Sequence, residues 1–372
     1  MSAFDFVIIG SGMAGAGAAY GLAAGARVLL LEREDAHGYH TTGRSAALYS
    51  ETYGAAVVRG LSRASRAFFD APPQGFCDYP LLTPRGCLYL ARPDQAPALA
   101  AMLAGAAGAM VPLTREEILA RIPILKPDYV GGGLLEASAM DADVAALHQG
   151  FLRGARARGA DIRVRSAVTA ITRRGGGFVV RCADGSDFES AVVVNAAGAW
   201  ADEIARMAGV APIGLAPLRR TAMILDPPPG VDVSAWPATI DVDEPFYFKP
   251  EAGKLLASPA DETPSAPCDA SPDEMDIAIC VDRLQTAADL PVRRVNRSWA
   301  GLRSFVADRA PVTGYDTSTP GFFWLAGQGG YGVQTAPAAA RAMAALARRE
   351  PLPADIVAEG VTAEALAPGR LR

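Results

Sequence analysis

The 372-residue chain contains no C-x-x-C pair. Its five cysteines, Cys77, Cys87, Cys182, Cys268 and Cys280, are odd in number and widely scattered. That excludes both a disulfide framework and a structural zinc site, and leaves small thiols in a reducing compartment. Histidine is scarce as well: His37 and His40 share one loop and His148 falls on a predicted helix, too dispersed for a metal triad. There is no surplus of positive charge. Lys plus Arg number 35 against 40 Asp plus Glu, a net of −5, so no cationic field exists to hold nucleic acid or an anionic membrane. No segment reaches the roughly 18 to 20 uninterrupted apolar residues of a membrane span. The apolar stretch 6–31 follows Asp5 without a basic flank, which argues against a signal peptide. The remaining composition, 50% hydrophobic and 20% charged, is that of a soluble, cytoplasmic protein too long for one compact core.

What is present begins at the amino terminus. Phe4-Asp5-Phe6-Val7-Ile8-Ile9 reads as a buried parallel strand. It runs into Gly10-Ser11-Gly12-Met13-Ala14-Gly15, then a small-residue helix over 14–24, then a second strand, Arg27-Val28-Leu29-Leu30-Leu31, that ends at Glu32. Gly10 allows the tight turn, Gly12 lets backbone approach a pyrophosphate, and Gly15 lets the helix pack closely on the strand. The amides at the helix start, at Met13 and Ala14, face the phosphates, and Glu32 stands where an acid bonds the ribose hydroxyls of an adenosine. An acid there disfavours a 2′-phosphate and leaves NAD or FAD. Farther along, Ala191-Val192-Val193-Val194-Asn195 is another buried strand, ending at Ala196-Ala197-Gly198, small residues that allow backbone to lie against a bulky ligand. Phe322-Phe323-Trp324-Leu325-Ala326 leads into the glycine loop 327–332, which opens a helix over 334–348 whose positive end favours an electron-rich ligand.

Beyond Glu32 the chain continues as a polar loop, His40-Thr41-Thr42-Gly43-Arg44-Ser45-Ala46-Ala47, rather than as a further βα unit. Its Thr42–Ala47 part, together with the Gly10–Glu32 fingerprint, Ala146-Leu147-His148-Gln149-Gly150, Val194-Asn195-Ala196-Ala197-Gly198-Ala199-Trp200, Trp299-Ala300-Gly301-Leu302-Arg303 and Gly327-Gln328-Gly329-Gly330-Tyr331-Gly332, resembles the D-amino acid oxidase-like flavoproteins over nearly the whole chain. Within them it is most similar to the bacterial D-amino acid dehydrogenase branch typified by D-arginine dehydrogenase. The resemblance implies non-covalent FAD, since no cysteine falls in the matching loops. It adds Arg33, the run Thr42, Gly43, Arg44, Ser45, Ala46 and Ala47, then Val168 on a strand near 162–169, Trp200, and Gly329 through Gly332 with Val333, Gln334 and Thr335 as cofactor-binding positions.

A substrate carboxylate needs a bidentate cation, and arginine's planar fork provides one. The resemblance places that role on Arg220 and Arg303, with Arg219 as the alternative to Arg220. It places substrate-bonding hydroxyls on Tyr53 and Tyr247 and a backbone carbonyl for the amine on Gly330. Strand alternation in Phe246-Tyr247-Phe248 sends Tyr247 to the face opposite both phenylalanines. The sequence departs from the basic-substrate branch at three positions. Cys87 stands in place of a glutamate that pairs with a cationic side chain, Leu48 replaces a histidine, and Ser50 replaces a threonine. With Tyr331, these residues are the expected substrate pocket, suited to neutral or apolar side chains.

The expected architecture is α/β: a Rossmann-like FAD-binding domain (1–47, 142–214 and 300–372) interleaved with an α+β substrate domain (48–141 and 215–299) built on an antiparallel sheet. The expected reaction is oxidative deamination of a D-amino acid. Hydride leaves Cα for flavin N5, water hydrolyses the imine to a 2-oxo acid and ammonia, and a quinone or other carrier accepts the electrons. Two enzyme alternatives share the carboxylate arginine, a 2-hydroxy acid dehydrogenase and a glycine- or sarcosine-type amine oxidase. A flavin-binding electron-transfer subunit without its own substrate is the alternative from another class.

Overall fold

The computed structural model describes residues 3–106 and 108–372. The β-branched run at the amino terminus forms the strand Ala3–Ile9 inside an 8-stranded sheet. Along its path lie Val168–Arg174, Gly177–Cys182, Asp187–Asn195, Ala3–Ile9, Val28–Leu31 and Asp161–Arg163, with Phe322–Ala326 and Val312–Tyr315 attached beside Asp187–Asn195. The central strands are parallel and in matched register. Ile9 lies level with both Leu31 and Asn195, and Asn195 with Trp324. Gly10, Glu32, Ala196 and Gly327 therefore leave the sheet at one edge, the carboxyl edge at which open α/β sheets bind ligands.

Both faces of this sheet are buried, as a parallel sheet requires. Phe6 and Ile8 point into a core shared with the helices Met13–Leu22, Val144–Ala157 and Ala336–Ala347, while Val7 and Ile9 point into the opposite core with the helix Ala201–Met207. The first and last of those long helices approach closely because their facing residues are small: a Cβ on Gly17 would stand 3.1 Å from that of Ala340.

A 9-stranded sheet carries the rest of the chain. Its path runs Thr263–Pro264, Ala216–Leu225, Lys254–Ser258, Tyr247–Glu251, Ala238–Asp241, Cys87–Ala91, Gly132–Glu136 and Val111–Leu113, with Arg297–Phe305 paired to Ala216–Leu225. It is antiparallel except where Ala238–Asp241 runs parallel to Cys87–Ala91. The alternation expected at 246–248 is present: Phe246 and Phe248 enter a core closed by the helix Glu274–Ala287, and Tyr247 faces the other way. A 3-stranded sheet of Leu48–Tyr49, Met140–Ala142 and Leu82–Pro84 sits between.

Several local expectations shift. The single strand expected near 162–169 is two, Asp161–Arg163 and Val168–Arg174. Between them Arg165 takes a left-handed conformation (φ 52°), and the Arg165 and Ser166 amides donate to the Glu34 and Glu32 carbonyls, turning the chain. The carboxyl-terminal helix begins at Ala336, two residues late, and the short helices Ala354–Ala358 and Ala363–Leu366 follow it. The strand Arg297–Phe305 straddles the division drawn at 299/300 and is hydrogen-bonded wholly into the larger sheet. Among the described residues no helix is long and apolar enough to cross a membrane.

Candidate active site

One continuous cavity runs along the carboxyl edge of the parallel sheet and on under the larger sheet. At its first end the chain leaves the strand Ala3–Ile9 through Gly10, which adopts φ 100°. A Cβ on Gly10 would lie 2.5 Å from the Ala196 carbonyl oxygen, so only glycine fits this left-handed, crowded position. Gly12, Met13 and Ala14 line the cavity beyond it, and Gly15 packs beneath the turn. Glu32, 8% exposed, receives the Ser11 amide at 2.9 Å and the Ser11 hydroxyl at 2.7 Å. His148 donates from Nε2 to the Ser11 carbonyl at 2.8 Å, and His37 Nδ1 lies 2.8 Å from the Ser11 hydroxyl. Burial pushes both histidines below the ordinary imidazole value. Across the cavity Asn195, fully buried, donates to the Ala201 carbonyl at 2.7 Å and fixes the turn through Ala197, Gly198 and Trp200. The Arg33 guanidinium lies 4.5 Å from the centre of the Trp200 ring, and Val168 closes this end.

The loop 41–46 forms the middle wall. Thr42 Oγ1 accepts the Met13 amide at 2.9 Å, and Thr41 Oγ1 donates to the Leu302 carbonyl at 2.8 Å. Arg44 reaches the Ala270 and Ala300 carbonyls at 2.8 and 3.0 Å and pairs with Asp269, while Trp299 Nε1 donates to the Arg44 carbonyl at 3.0 Å. The loop thus ties the two large sheets together and holds Ser45 and Ala46 at the cavity wall.

The far end is lined by Arg220, Tyr247, Arg303, Gly329, Gly330 and Gly332. Alternation along Ala216–Leu225 separates the two adjacent arginines. Arg219 turns to the helix side and bonds Asp276 at 2.8 Å, so the inward residue is Arg220, 8% exposed, with Nε on the Asp261 carbonyl at 2.8 Å and Nη2 3.3 Å from Glu262. Arg303 differs: among the described residues no carboxylate pairs with it, although Arg309 and Arg220 share Glu262. Its guanidinium lies so close over Gly330 that a Cβ there would come within 2.8 Å of Arg303 Cζ. Tyr53, Tyr247 and Tyr331 surround it, and burial pushes the Tyr53 hydroxyl up to about 12, so it stays protonated. Tyr53 meets Tyr331 edge-on at 5.2 Å.

The profile of the family described as "DAO: FAD dependent oxidoreductase" matches residues 5–346. The chain belongs to this family. Its glycine cradle, the acid at the end of Val28–Leu31 and the small-residue strand ends fit FAD, which the family binds, and among the described residues no cysteine lines the cavity, in keeping with a non-covalent cofactor. The L-2-hydroxyglutarate dehydrogenase of Salmonella houtenae is 28% identical over 219 residues, covering 56% of this chain and 51% of that protein. The chain thus aligns with about half the length, or less, of the first curated relatives it matches. Two solved structures share the fold: glycine oxidase from Geobacillus kaustophilus (TM-score 0.82, 21% identity, 94% and 96% of the two chains) and iminodiacetate oxidase from Chelativorans sp. BNC1 (0.79, 21%, 98% and 98%).

Some of the residues expected at this FAD oxidoreductase site lie outside the cavity lining. Gly43 and Ala47 face a neighbouring cleft that shares the 44–46 wall. Gln334 is buried with its amide on Ser62 Oγ of the helix Ala56–Asp70 at 2.8 Å, and Thr335 Oγ1 donates to the Tyr331 carbonyl at 2.8 Å, so both side chains are engaged within the protein. Tyr331 stands behind Gly330, wedged between Tyr53 and Phe305. None of the four expected pocket residues, Leu48, Ser50, Cys87 and Tyr331, is in the lining, and Tyr53 too stands behind it, against Tyr331. Cys87 is fully buried in its strand, where burial pushes the thiol up; Leu48 packs against the same small core; and Ser50 Oγ donates to Glu136 at 2.7 Å. The Met13 amide, expected to face phosphate, is taken by Thr42.

Other residues line the cavity without having been singled out. His40 lies 4.7 Å from the Trp200 ring, with Nε2 2.9 Å from Glu34 and a buried Nδ1 that has no partner. Ser304 carries a buried hydroxyl, also without a partner. His40 lies two residues before the matched run 42–47, and Ser304 follows Arg303; proximity to a motif was the signal available for both.

Proposed function

We propose that the protein oxidises an α-amino acid at its Cα–N bond, acting on D-amino acids with neutral or apolar side chains. Water hydrolyses the resulting imine to a 2-oxo acid and ammonia. One observation carries this reading: a single cavity joins the Gly10–Glu32 dinucleotide end to a guanidinium, Arg303, that has no carboxylate of its own. A planar cation without an internal partner is a ready receptor for a substrate carboxylate. The Tyr53 and Tyr247 hydroxyls supply further bonds around it, and the Gly330 carbonyl is the acceptor for the substrate amine. FAD, when bound, takes up the two electrons.

Support for an amine over an alcohol comes from the absence of a base at this end. Oxidising a hydroxyl requires removal of its proton. All three histidines lie elsewhere: His37 and His148 contact Ser11 and His40 contacts Glu34, while burial holds Tyr53 and Tyr331 protonated. An α-ammonium loses its proton to water far more readily than a hydroxyl does, and the neutral amine then carries its own lone pair. The acids lining the cavity are Glu32 and, on the helix behind Trp200, Glu203, so no lining carboxylate awaits a cationic side chain beside Arg303. The D configuration rests on the resemblance to the dehydrogenase branch, and the electron acceptor is a quinone or similar carrier. A 2-hydroxy acid substrate is the second reading, favoured by the similarity to L-2-hydroxyglutarate dehydrogenase. The two-unit division is proposed with one boundary moved: the third FAD-binding segment starts after Phe305 rather than at 300. Five free thiols, four of them sheltered, favour a reducing cytoplasm.

Anaerobic titration of the yellow protein with D- and L-amino acids, N-methyl amino acids and 2-hydroxy acids tests this. Bleaching of the oxidised flavin band by neutral D-amino acids alone is the expected result. Bleaching by hydroxy acids alone moves the substrate to the second reading, and an efficiency for D-Arg far above that for D-Met or D-Phe refutes the side-chain preference.

A further inference from the structure

Glu136 ends the strand Gly132–Glu136, opposite Cys87, and its side chain is fully buried. Among the described residues no cation pairs with it. Instead it collects donors from three successive residues of one segment: Ser50 Oγ to Oε2 at 2.7 Å, the Glu51 amide to Oε1 at 3.0 Å, and Thr52 Oγ1 to Oε2 at 2.6 Å. A buried carboxylate without a cation is a poor stabiliser of a core, since an apolar residue of that size avoids its desolvation. Its partners here share one property: they immediately precede Tyr53.

Residues 50–55 belong to no helix or strand. They link Leu48–Tyr49 to the helix Ala56–Asp70, so no backbone ladder fixes them. Beyond Tyr53, Gly54 turns at φ 96° against Val58 and Tyr331, and the Ala55 carbonyl accepts the Arg59 amide at 3.0 Å as the helix begins. On the near side the Glu51 carboxylate accepts the Tyr49 hydroxyl at 2.8 Å, and the Glu136 carboxylate supplies the anchor from the sheet, engaging all of 50–52.

We propose that Glu136 is a positioning residue that clamps 50–52 and thereby holds the Tyr53 hydroxyl beside Arg303. This rests on the reading of Arg303 and Tyr53 as the substrate end. In Glu136→Leu, amide exchange within 49–54 is expected to rise about tenfold while the rest of the chain and the FAD content are unchanged. The efficiency of flavin reduction by the best amino acid is expected to fall by a similar factor. Glu136→Gln restores both: its oxygen accepts the Glu51 amide, and its NH2 donates to the Ser50 and Thr52 hydroxyls, which rotate to accept. If Glu136→Leu fails to fold, Ser50→Ala/Thr52→Val removes two of the donors from the other side and must show the same pair of effects. Because Glu136 acts through Tyr53, Glu136→Leu in a Tyr53→Phe background should slow reduction no further. Multiplying losses, or equal exchange protection in Glu136→Leu, overturn the clamp. A fully active Tyr53→Phe overturns the substrate-end reading instead, and the clamp's role with it.

Discussion

Replacing Arg303 by methionine separates binding from stability at one residue. The side chain has no internal carboxylate and lies pressed over Gly330 among three tyrosines, so removing it breaks no ion pair. It also relieves the protein of a sheltered, unpaired cation, and the melting temperature should hold or rise. The lost function is large. A bidentate guanidinium–carboxylate contact comprises two charge-assisted hydrogen bonds of about 1.5–3 kcal/mol each. Losing about 3–5 kcal/mol in the transition state corresponds to a decrease of about two to four orders of magnitude in kcat/KM. Arg303→Lys keeps the charge but loses the fork, and it should recover only about a tenth of the difference. Stopped-flow reduction of the flavin by the preferred amino acid, alongside a thermal melt of the same sample, checks both halves. A variant that keeps wild-type efficiency, or one that loses activity only in step with a fall in melting temperature, would refute the assignment of Arg303 as the free carboxylate receptor.

Arg220→Met should behave oppositely in the melt: it leaves the Asp261 carbonyl without its donor and Glu262 with Arg309 alone, costing about 1–2 kcal/mol by denaturant titration. Gly330→Ala should retain FAD yet cut kcat/KM by about tenfold or more, because the new Cβ would lie 2.8 Å from Arg303 Cζ and displace the guanidinium; retained kinetics would show that the close approach is not needed. Lowered pH should loosen the dinucleotide end. Burial depresses His148 below its unfolded value of 6.5, so the unfolded chain binds the extra proton first and stability falls as pH drops below about 6.5 toward the folded value. Thermal melts of wild type and His148→Gln between pH 8 and 5 should diverge in that window, and parallel curves would exclude His148 as the cause.

The βαβ fingerprint was legible because its chemistry is local: strand, glycines, helix and acid lie within the first 32 residues, and each sits where backbone geometry requires it. Tyr247 followed from alternation alone, since the two phenylalanines beside it had to share a core.

What the chain order could not convey is which groups find partners across long separations. Arg219 and Arg220 are equivalent until Asp276 on a distant helix takes one and the cavity takes the other. Cys87 sits at a position matched to a pocket residue, yet its strand turns it into the core. Arg44 falls in a loop expected to meet the cofactor, yet the Ala270 and Ala300 carbonyls occupy its donors. Glu136 carries no motif, and its meaning arises only where Ser50, Glu51 and Thr52 converge on it. By itself the sequence determined the dinucleotide turn and the periodicity of strands and helices, because these depend on steric rules spanning a few residues. Only the tertiary structure decided which arginine stands unpaired, because the pairing of a buried charge is set by every element packed around it.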